Sequence, residues 1–145
     1  MITDNYVKMC EQAEEIQADF KFSMGDWYIE NYNTEDQHII VLDQGIVSRL
    51  VQNIILKKYG AIWLPTQEQL QEMMKTENTW RLGWLMENLY NFANNKYGYN
   101  ILSEHYVFKH FDSLNELWLA FVMYKKYHKV WTGEKWIKWY DVSRD

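Results

Sequence analysis

Residues 113–136 read SLNELWLAFVMYKKYHKVWTGEKW, and this stretch decides the fold. Ser113 with a glutamate three residues later is the pattern of a helical capping box, so a helix should begin here and run to about Tyr127. The helix is apolar on almost every side until two lysines near its end, which is typical of a helix buried at the centre of a domain. Beyond it, Gly133 separates two short strand-like runs and predicts a β-hairpin.

The N-terminal segment carries a second helical pattern over residues 3–20. One apolar stripe recurs there at the helical period and consists of Tyr6, Met9, Ala13, Ile16 and Phe20. Thr3 is the expected N-cap. The acidic side chains off the stripe should face water, and they are Glu11, Glu14, Glu15 and Asp19.

Between these two helices, the sequence turns to strand-forming residues. Residues 27–29 and 38–42 flank a polar, turn-rich insert, which predicts an antiparallel pair of strands. A short buried strand is expected at residues 61–64. Residues 48–58 fit both a helix and a strand, and their length favours a helix.

Two further helices are expected in the middle of the chain. Thr66 and Gln69 form a capping box, and the helix that they open should end near Met74. A longer helix should cover residues 80–96, with an apolar face formed by Leu82, Leu85, Met86, Leu89 and Ala93. Because no repeat or linker divides the chain, residues 1–145 are expected to form one α+β domain. Its small antiparallel sheet and C-terminal β-hairpin should pack with an N-terminal helix and a central buried helix.

Composition narrows the class of protein further. The 145 residues include 15 basic and 20 acidic side chains, a net charge of −5, and 48% of them are apolar. This excludes a disordered chain, and the single Cys10 excludes an intrachain disulfide and a cysteine-based zinc site. The N-terminus lacks a signal-peptide pattern, and no apolar run approaches the roughly 20 residues needed to cross a bilayer. We therefore expect a cytoplasmic protein without membrane association.

Several strings of the sequence resemble a known group of proteins. They are WLPTQEQLQEM at residues 63–73, LNELWLAFVM at 114–123 and KYHKVWTGEKW at 126–136. These strings are similar to those of a family of small uncharacterised proteins encoded in phages and prophages of Gram-positive bacteria of the Firmicutes type. The resemblance implies a phage or prophage setting but no catalytic residue, and it leaves residues 43–60 and 76–110 unmatched.

The chain lacks the sequence motifs of common catalytic sites. It has no phosphate-binding glycine loop, no nucleophile elbow and no zinc-protease motif, so neither enzymatic activity nor a cofactor or metal is expected. One alternative stays open, a small metal-dependent hydrolase. Its side chains would come from Glu104, His105, His110 and Asp112, residue types that bind metals or transfer protons.

The C-terminal stretch combines aromatic rings with lysines and is the candidate binding surface. Residues 122–139 hold five lysines against one glutamate, a net charge of +4. The candidate residues are Tyr124, Lys125, Tyr127, Lys129, Trp131, Lys135, Trp136, Lys138 and Trp139. Such a mixture is typical of single-stranded nucleic-acid binding, in which bases stack on rings and lysines follow the phosphates. The alternative is that one face of the hairpin covers the central helix.

These observations lead to an expected function of macromolecular binding. The leading hypothesis is a phage- or prophage-encoded accessory protein of the host-cell cytoplasm that binds a host or phage protein, in its sharpest form an inhibitor of a host defence nuclease of the anti-CRISPR type. A nucleic-acid-binding module and the metal-dependent hydrolase are the alternatives. The acidic first 60 residues, with 5 basic and 10 acidic side chains, suggest a nucleic-acid mimic, although a solvated helix face accounts for the same residues. The many aromatic residues make a homodimer a further prediction.

Overall fold

The computed structural model describes residues 2–19, 25–30, 32–41, 60–75, 82–94 and 111–138. Within these ranges the chain forms an α+β fold, as the sequence predicts. The helices are α1 (Asp4–Gln12), α2 (Glu14–Asp19), α3 (Gln67–Met74), α4 (Leu82–Ala93) and α5 (Leu114–Tyr127). The strands are β1 (Trp27–Glu30), β2 (His38–Val41), β3 (Ile62–Leu64), β4 (Lys129–Trp131) and β5 (Trp136–Lys138). The helix expected at residues 48–58 lies outside the described ranges.

Helix α5 is the centre of the fold. Its seven consecutive residues from Trp118 to Tyr124 are all buried, which requires neighbours on every side of the helix. Those neighbours are α1, α3, α4 and β4. Ser113 caps the helix by accepting a hydrogen bond from the Glu116 N–H, and the helix ends at His128 in the left-handed conformation, φ 55°. The prediction of a central buried helix is therefore confirmed.

The strands form the two antiparallel arrangements that the sequence predicts. The three-stranded sheet has the order β2-β1-β3, with Trp27 opposite both Val41 and Leu64. The two-stranded hairpin pairs Trp131 with Trp136 and turns through Gly133, whose φ of 101° suits a residue without a Cβ. No helix among the described residues is both long and apolar enough to cross a membrane.

The N-terminal helix differs from its prediction because it is interrupted. The prediction was one helix over residues 3–20, but α1 stops before Ala13 (φ −82°, ψ 76°) and α2 follows. The break lets the Gln17 amide accept from the Trp63 N–H at 3.0 Å and donate to the Trp63 carbonyl at 2.9 Å. The same amide donates to the Cys10 carbonyl at 3.1 Å. Gln17 thus pairs with the outer edge of β3 where a further strand would otherwise bind.

Helix α4 buries only part of the face that its sequence pattern predicts, since Leu85 and Leu89 are buried as expected and other members of the face are not. The buried residues are Leu85, Leu89 and Phe92, whereas Leu82 and Met86, which the pattern assigned to the core, are exposed. The physical reason is the docking of α4 on α5, where Phe92 packs its ring 5.5 Å from that of Phe121. Residues 80, 81, 95 and 96 of the predicted helix lie outside the described residues.

Candidate binding site

The structure removes two aromatic rings from the candidate surface at the C-terminus. Tyr124 and Trp131 are both buried, Trp131 to 1% exposure, so neither ring can stack on a ligand. Trp131 packs 5.1 Å from the Trp136 ring, and its strand β4 lies against α5. This corrects the expectation for these two residues, because the hairpin uses its inner face to cover the central helix.

The hairpin is also bound to the N-terminal helices. The Trp136 indole N–H donates to the Met9 carbonyl at 3.0 Å, which leaves that ring half-buried on α1. Lys8 pairs with Glu134 at 2.6 Å. The two contacts dock the tip and second strand of the hairpin onto α1.

Lys129, a member of the candidate binding surface, forms a half-buried ion pair with Glu15. Lys129 Nζ lies 2.5 Å from a Glu15 carboxylate oxygen, and both side chains are largely covered, with 20% and 27% of their surface exposed. The expectation that Glu15 faces water is therefore wrong, whereas Glu11 and Glu14 are exposed as expected; nothing is described for the Asp19 side chain. Acidic helices and basic hairpin thus neutralise each other in part.

The remaining members of the candidate surface are divided between covered and exposed positions. Lys125 and Tyr127 are half-buried, and partial burial lowers the pKa of the Lys125 ammonium group, because removal from water disfavours its charged form. Lys135 and Lys138 are exposed, and Trp139 lies outside the described residues. The structure therefore does not bring the nine residues together as one accessible basic, aromatic surface.

The alternative metal site cannot be assembled from the described residues. Asp112 is exposed just before α5, whereas Glu104, His105 and His110 lie outside the described ranges. Within those ranges no group of three side chains is arranged to hold a metal ion.

The described residues form an open cleft of about 950 Å³. Its apolar side consists of Ile2, Trp27, Ile39, Leu64 and Pro65. Two of these side chains are unusually exposed for their size, Trp27 at 40% and Ile39 at 42%. Val41, opposite Trp27 on β2, is exposed as well and extends the apolar surface beyond the cleft. Large apolar surfaces of this kind mark binding sites more often than scattered single residues do.

Three helix N-termini meet at this cleft. The start of α3 lines the cleft with Thr66, Gln67 and Glu68. The start of α1 contributes Ile2, the residue before the N-cap, and the first turn of α5 contributes Asn115. The capping box of Thr66 is complete, with the Gln69 N–H donating to the threonine hydroxyl at 3.2 Å and the Thr66 N–H donating to the Gln69 side chain at 2.8 Å. The local sequence therefore sets the helical side of the cleft.

Two buried carboxylates hold the walls of the cleft together. Glu116 in α5 is fully buried and accepts from Thr3 Oγ1 at 2.8 Å and Asn5 Nδ2 at 2.6 Å, which joins the N-termini of α1 and α5. Asp26, next to Trp27, is 5% exposed and accepts from Gln69 Nε2 at 2.6 Å, which fixes the start of β1 against α3. These hydrogen bonds thus join the elements that surround the cleft.

The residues that the sequence missed are Trp27 and Ile39. Both lie in apolar runs that predict strands, but a strand pattern does not tell which apolar side chains find a neighbour. A second exposed apolar stripe lies on α4 and consists of Leu82, Met86 and Tyr90. Its spacing of four residues is visible in the sequence, but its exposure is not.

Comparison of the chain with protein-family models, with curated protein sequences and with solved structures finds no match in any of the three.

Proposed function

We propose that this chain is an accessory protein that acts by binding another protein at the cleft between Trp27, Ile39 and the start of α3. The observation that carries the proposal is the exposure of Trp27 and Ile39 at the mouth of an open cleft of about 950 Å³. Aromatic residues in such positions are enriched among the few that contribute most binding energy in protein interfaces. The cleft therefore supplies a pocket and its anchor side chains together.

A phage or prophage origin and inhibition of a host defence nuclease belong to the same proposal. They depend on the resemblance of residues 63–73, 114–123 and 126–136 to phage-encoded proteins. The nucleic-acid alternative has less support. Of its nine residues, Tyr124 and Trp131 are buried and Lys129 is paired with Glu15, so those three side chains are engaged inside the molecule.

The test is affinity capture with matched baits from lysates of Gram-positive hosts, followed by reconstitution with the purified partner. The cleft variant is Trp27→Ser, and the control is Tyr90→Ser, which removes an exposed aromatic ring from α4, a helix that does not line the cleft. Circular dichroism checks that both variants fold. Wild type and the Tyr90 variant should bind one protein that the Trp27 variant loses by at least about tenfold in Kd, about 1.4 kcal/mol. Equal binding by all three baits, or no reconstituted complex, would refute the proposal.

A further inference from the structure

The charged side chain that lines the cleft is acidic, and acidic residues also stand close in sequence to two of its other lining residues. Glu68 is the one charged side chain among those that line it. Asp4 lies two residues from the lining Ile2, and Asp112 three residues before the lining Asn115, and all three carboxylates are exposed. None of the three has an ion-pair partner among the described residues, in contrast to the acids that pair with the hairpin.

The convergence of these carboxylates follows from the fold. An acidic residue beside a helix N-terminus stabilises the helix dipole in many proteins and by itself indicates no site. Here, however, three helix ends meet at one apolar cleft, since Glu116 joins α1 to α5 and Thr66 starts α3 in the cleft wall. Glu68 and the exposed Trp27 therefore line the same cleft, and Glu68 forms, with Asp4 and Asp112 at the starts of the other two helices, an acidic group that we call the acidic rim.

We propose that the cleft takes a segment of the partner protein in which an apolar or aromatic side chain is flanked by lysine or arginine. The apolar side chain packs between Trp27 and Ile39, and the flanking cations face Glu68, Asp4 and Asp112. This inference rests on the proposed function and names the chemistry of its partner. Charge complementarity of this kind raises association rates and excludes partners of the wrong sign.

The same charges disfavour the other occupants of the cleft. A second copy of this chain, with net charge −5, would bring one acidic rim against another if two clefts met. A nucleic-acid strand would place phosphates next to Glu68. A basic polypeptide segment meets neither repulsion.

The inference is tested with two short fluorescent peptides that share a central leucine–phenylalanine pair. One peptide carries lysines on both sides of the pair, the other glutamates, and fluorescence anisotropy measures the Kd of each. The lysine peptide should bind at least about tenfold more tightly than the glutamate peptide, which corresponds to about 1.4 kcal/mol. Its affinity should fall as salt rises, because exposed charges are screened.

Two charge reversals locate the effect. Glu68→Lys should weaken the lysine peptide and strengthen the glutamate peptide. Glu87→Lys, at an exposed position of α4, makes the same change in net charge away from the cleft and should leave both affinities within about twofold, a few tenths of a kcal/mol. Trp27→Ser should abolish binding of the lysine peptide.

The outcomes separate this inference from the proposed function. If the captured partner depends on Trp27 but neither the partner nor the peptides respond to Glu68→Lys, protein binding stands and the basic partner is refuted. If peptide and partner both bind the Trp27→Ser variant as they bind wild type, both proposals fall. Three further results would overturn the inference. The first is equal affinity for the two peptides, and the second is self-association that Trp27→Ser abolishes. The third is tighter binding of a single-stranded oligonucleotide than of the lysine peptide.

Discussion

Replacing Glu116 by alanine should destabilise the protein more than the loss of any exposed acid. Glu116 is fully buried, and its carboxylate accepts from Thr3 Oγ1 at 2.8 Å, Asn5 Nδ2 at 2.6 Å and Ser113 Oγ at 3.0 Å. The hydroxyls of Thr3 and Ser113 in turn accept from the Tyr6 and Glu116 N–H groups. The carboxylate therefore ends two chains of hydrogen bonds that begin in the first turns of α1 and α5.

The magnitude follows from these three bonds. A hydrogen bond to a charged acceptor contributes about 1.5–3 kcal/mol, and donors left unpaired in the interior add to the loss. Taken at the lower end, the three bonds of Glu116 predict a loss of about 4.5 kcal/mol for the alanine variant. Glu116→Gln keeps the shape and one acceptor oxygen, so it should cost about 1–2 kcal/mol. Since small domains have stabilities of about 5–15 kcal/mol, the alanine substitution removes a large fraction of the free energy of unfolding.

Urea unfolding followed by circular dichroism measures these changes. Glu134→Ala is the matched control, because Glu134 is also an ion-pair acid but lies on the surface, where such pairs contribute little. The double variant Thr3→Val/Glu116→Ala should cost less than the sum of its single variants, since both remove the same bond. A loss below about 0.5 kcal/mol for Glu116→Ala, or full additivity with Thr3→Val, would refute the reasoning.

Three further predictions concern the hairpin, the glycines and the single thiol. Lys129→Ala should lower the midpoint of thermal unfolding, because it leaves the half-buried Glu15 carboxylate without its cation. The double variant that exchanges the two residues, Lys129→Glu with Glu15→Lys, should recover most of this loss. A double variant as unstable as Lys129→Ala would contradict a stabilising ion pair. Gly133→Ala should cost about 1–2 kcal/mol in urea unfolding, because its φ of 101° disfavours a Cβ. Gly83→Ala, in a helix with open space around it, should stabilise by up to about 1 kcal/mol; a stabilising Gly133→Ala or a destabilising Gly83→Ala would contradict the respective prediction. Burial raises the pKa of the Cys10 thiol well above its usual range, so iodoacetamide should label the folded protein slowly and the urea-unfolded protein fast, and rapid labelling of the folded protein would count against a buried thiol.

The elements that the sequence predicts well are those with local signals. Helix α5 has an N-cap and is apolar on nearly every side, so its burial can be predicted without knowing which elements pack against it. The capping box of Thr66 and the glycine of the hairpin are equally local, and α3 and the β4–β5 pair appear where they are expected. The physics of caps and turns acts within three or four residues.

The features that sequence reasoning missed all depend on distant partners. The break at Ala13 serves the pairing of Gln17 with Trp63, 46 residues away. The face that α4 buries depends on the rings of α5, and the half-buried state of Glu15 depends on Lys129. In each case the local sequence pattern is compatible with more than one helix boundary, buried face or side-chain exposure, and a contact with a distant residue selects one of them.

The candidate site shows the same division. By itself, the sequence determined an α+β fold, a buried central helix, a terminal hairpin, and an uneven distribution of charge between an acidic N-terminal stretch and a basic stretch at residues 122–139. Tertiary structure alone decided that Lys129 of the hairpin pairs with the half-buried Glu15 and that Trp27 and Ile39 stay exposed at a cleft lined by the starts of three helices. The reason is physical: periodicity and caps are set by neighbours in the chain, whereas the exposure of a side chain is set by whatever packs against it from elsewhere in the fold.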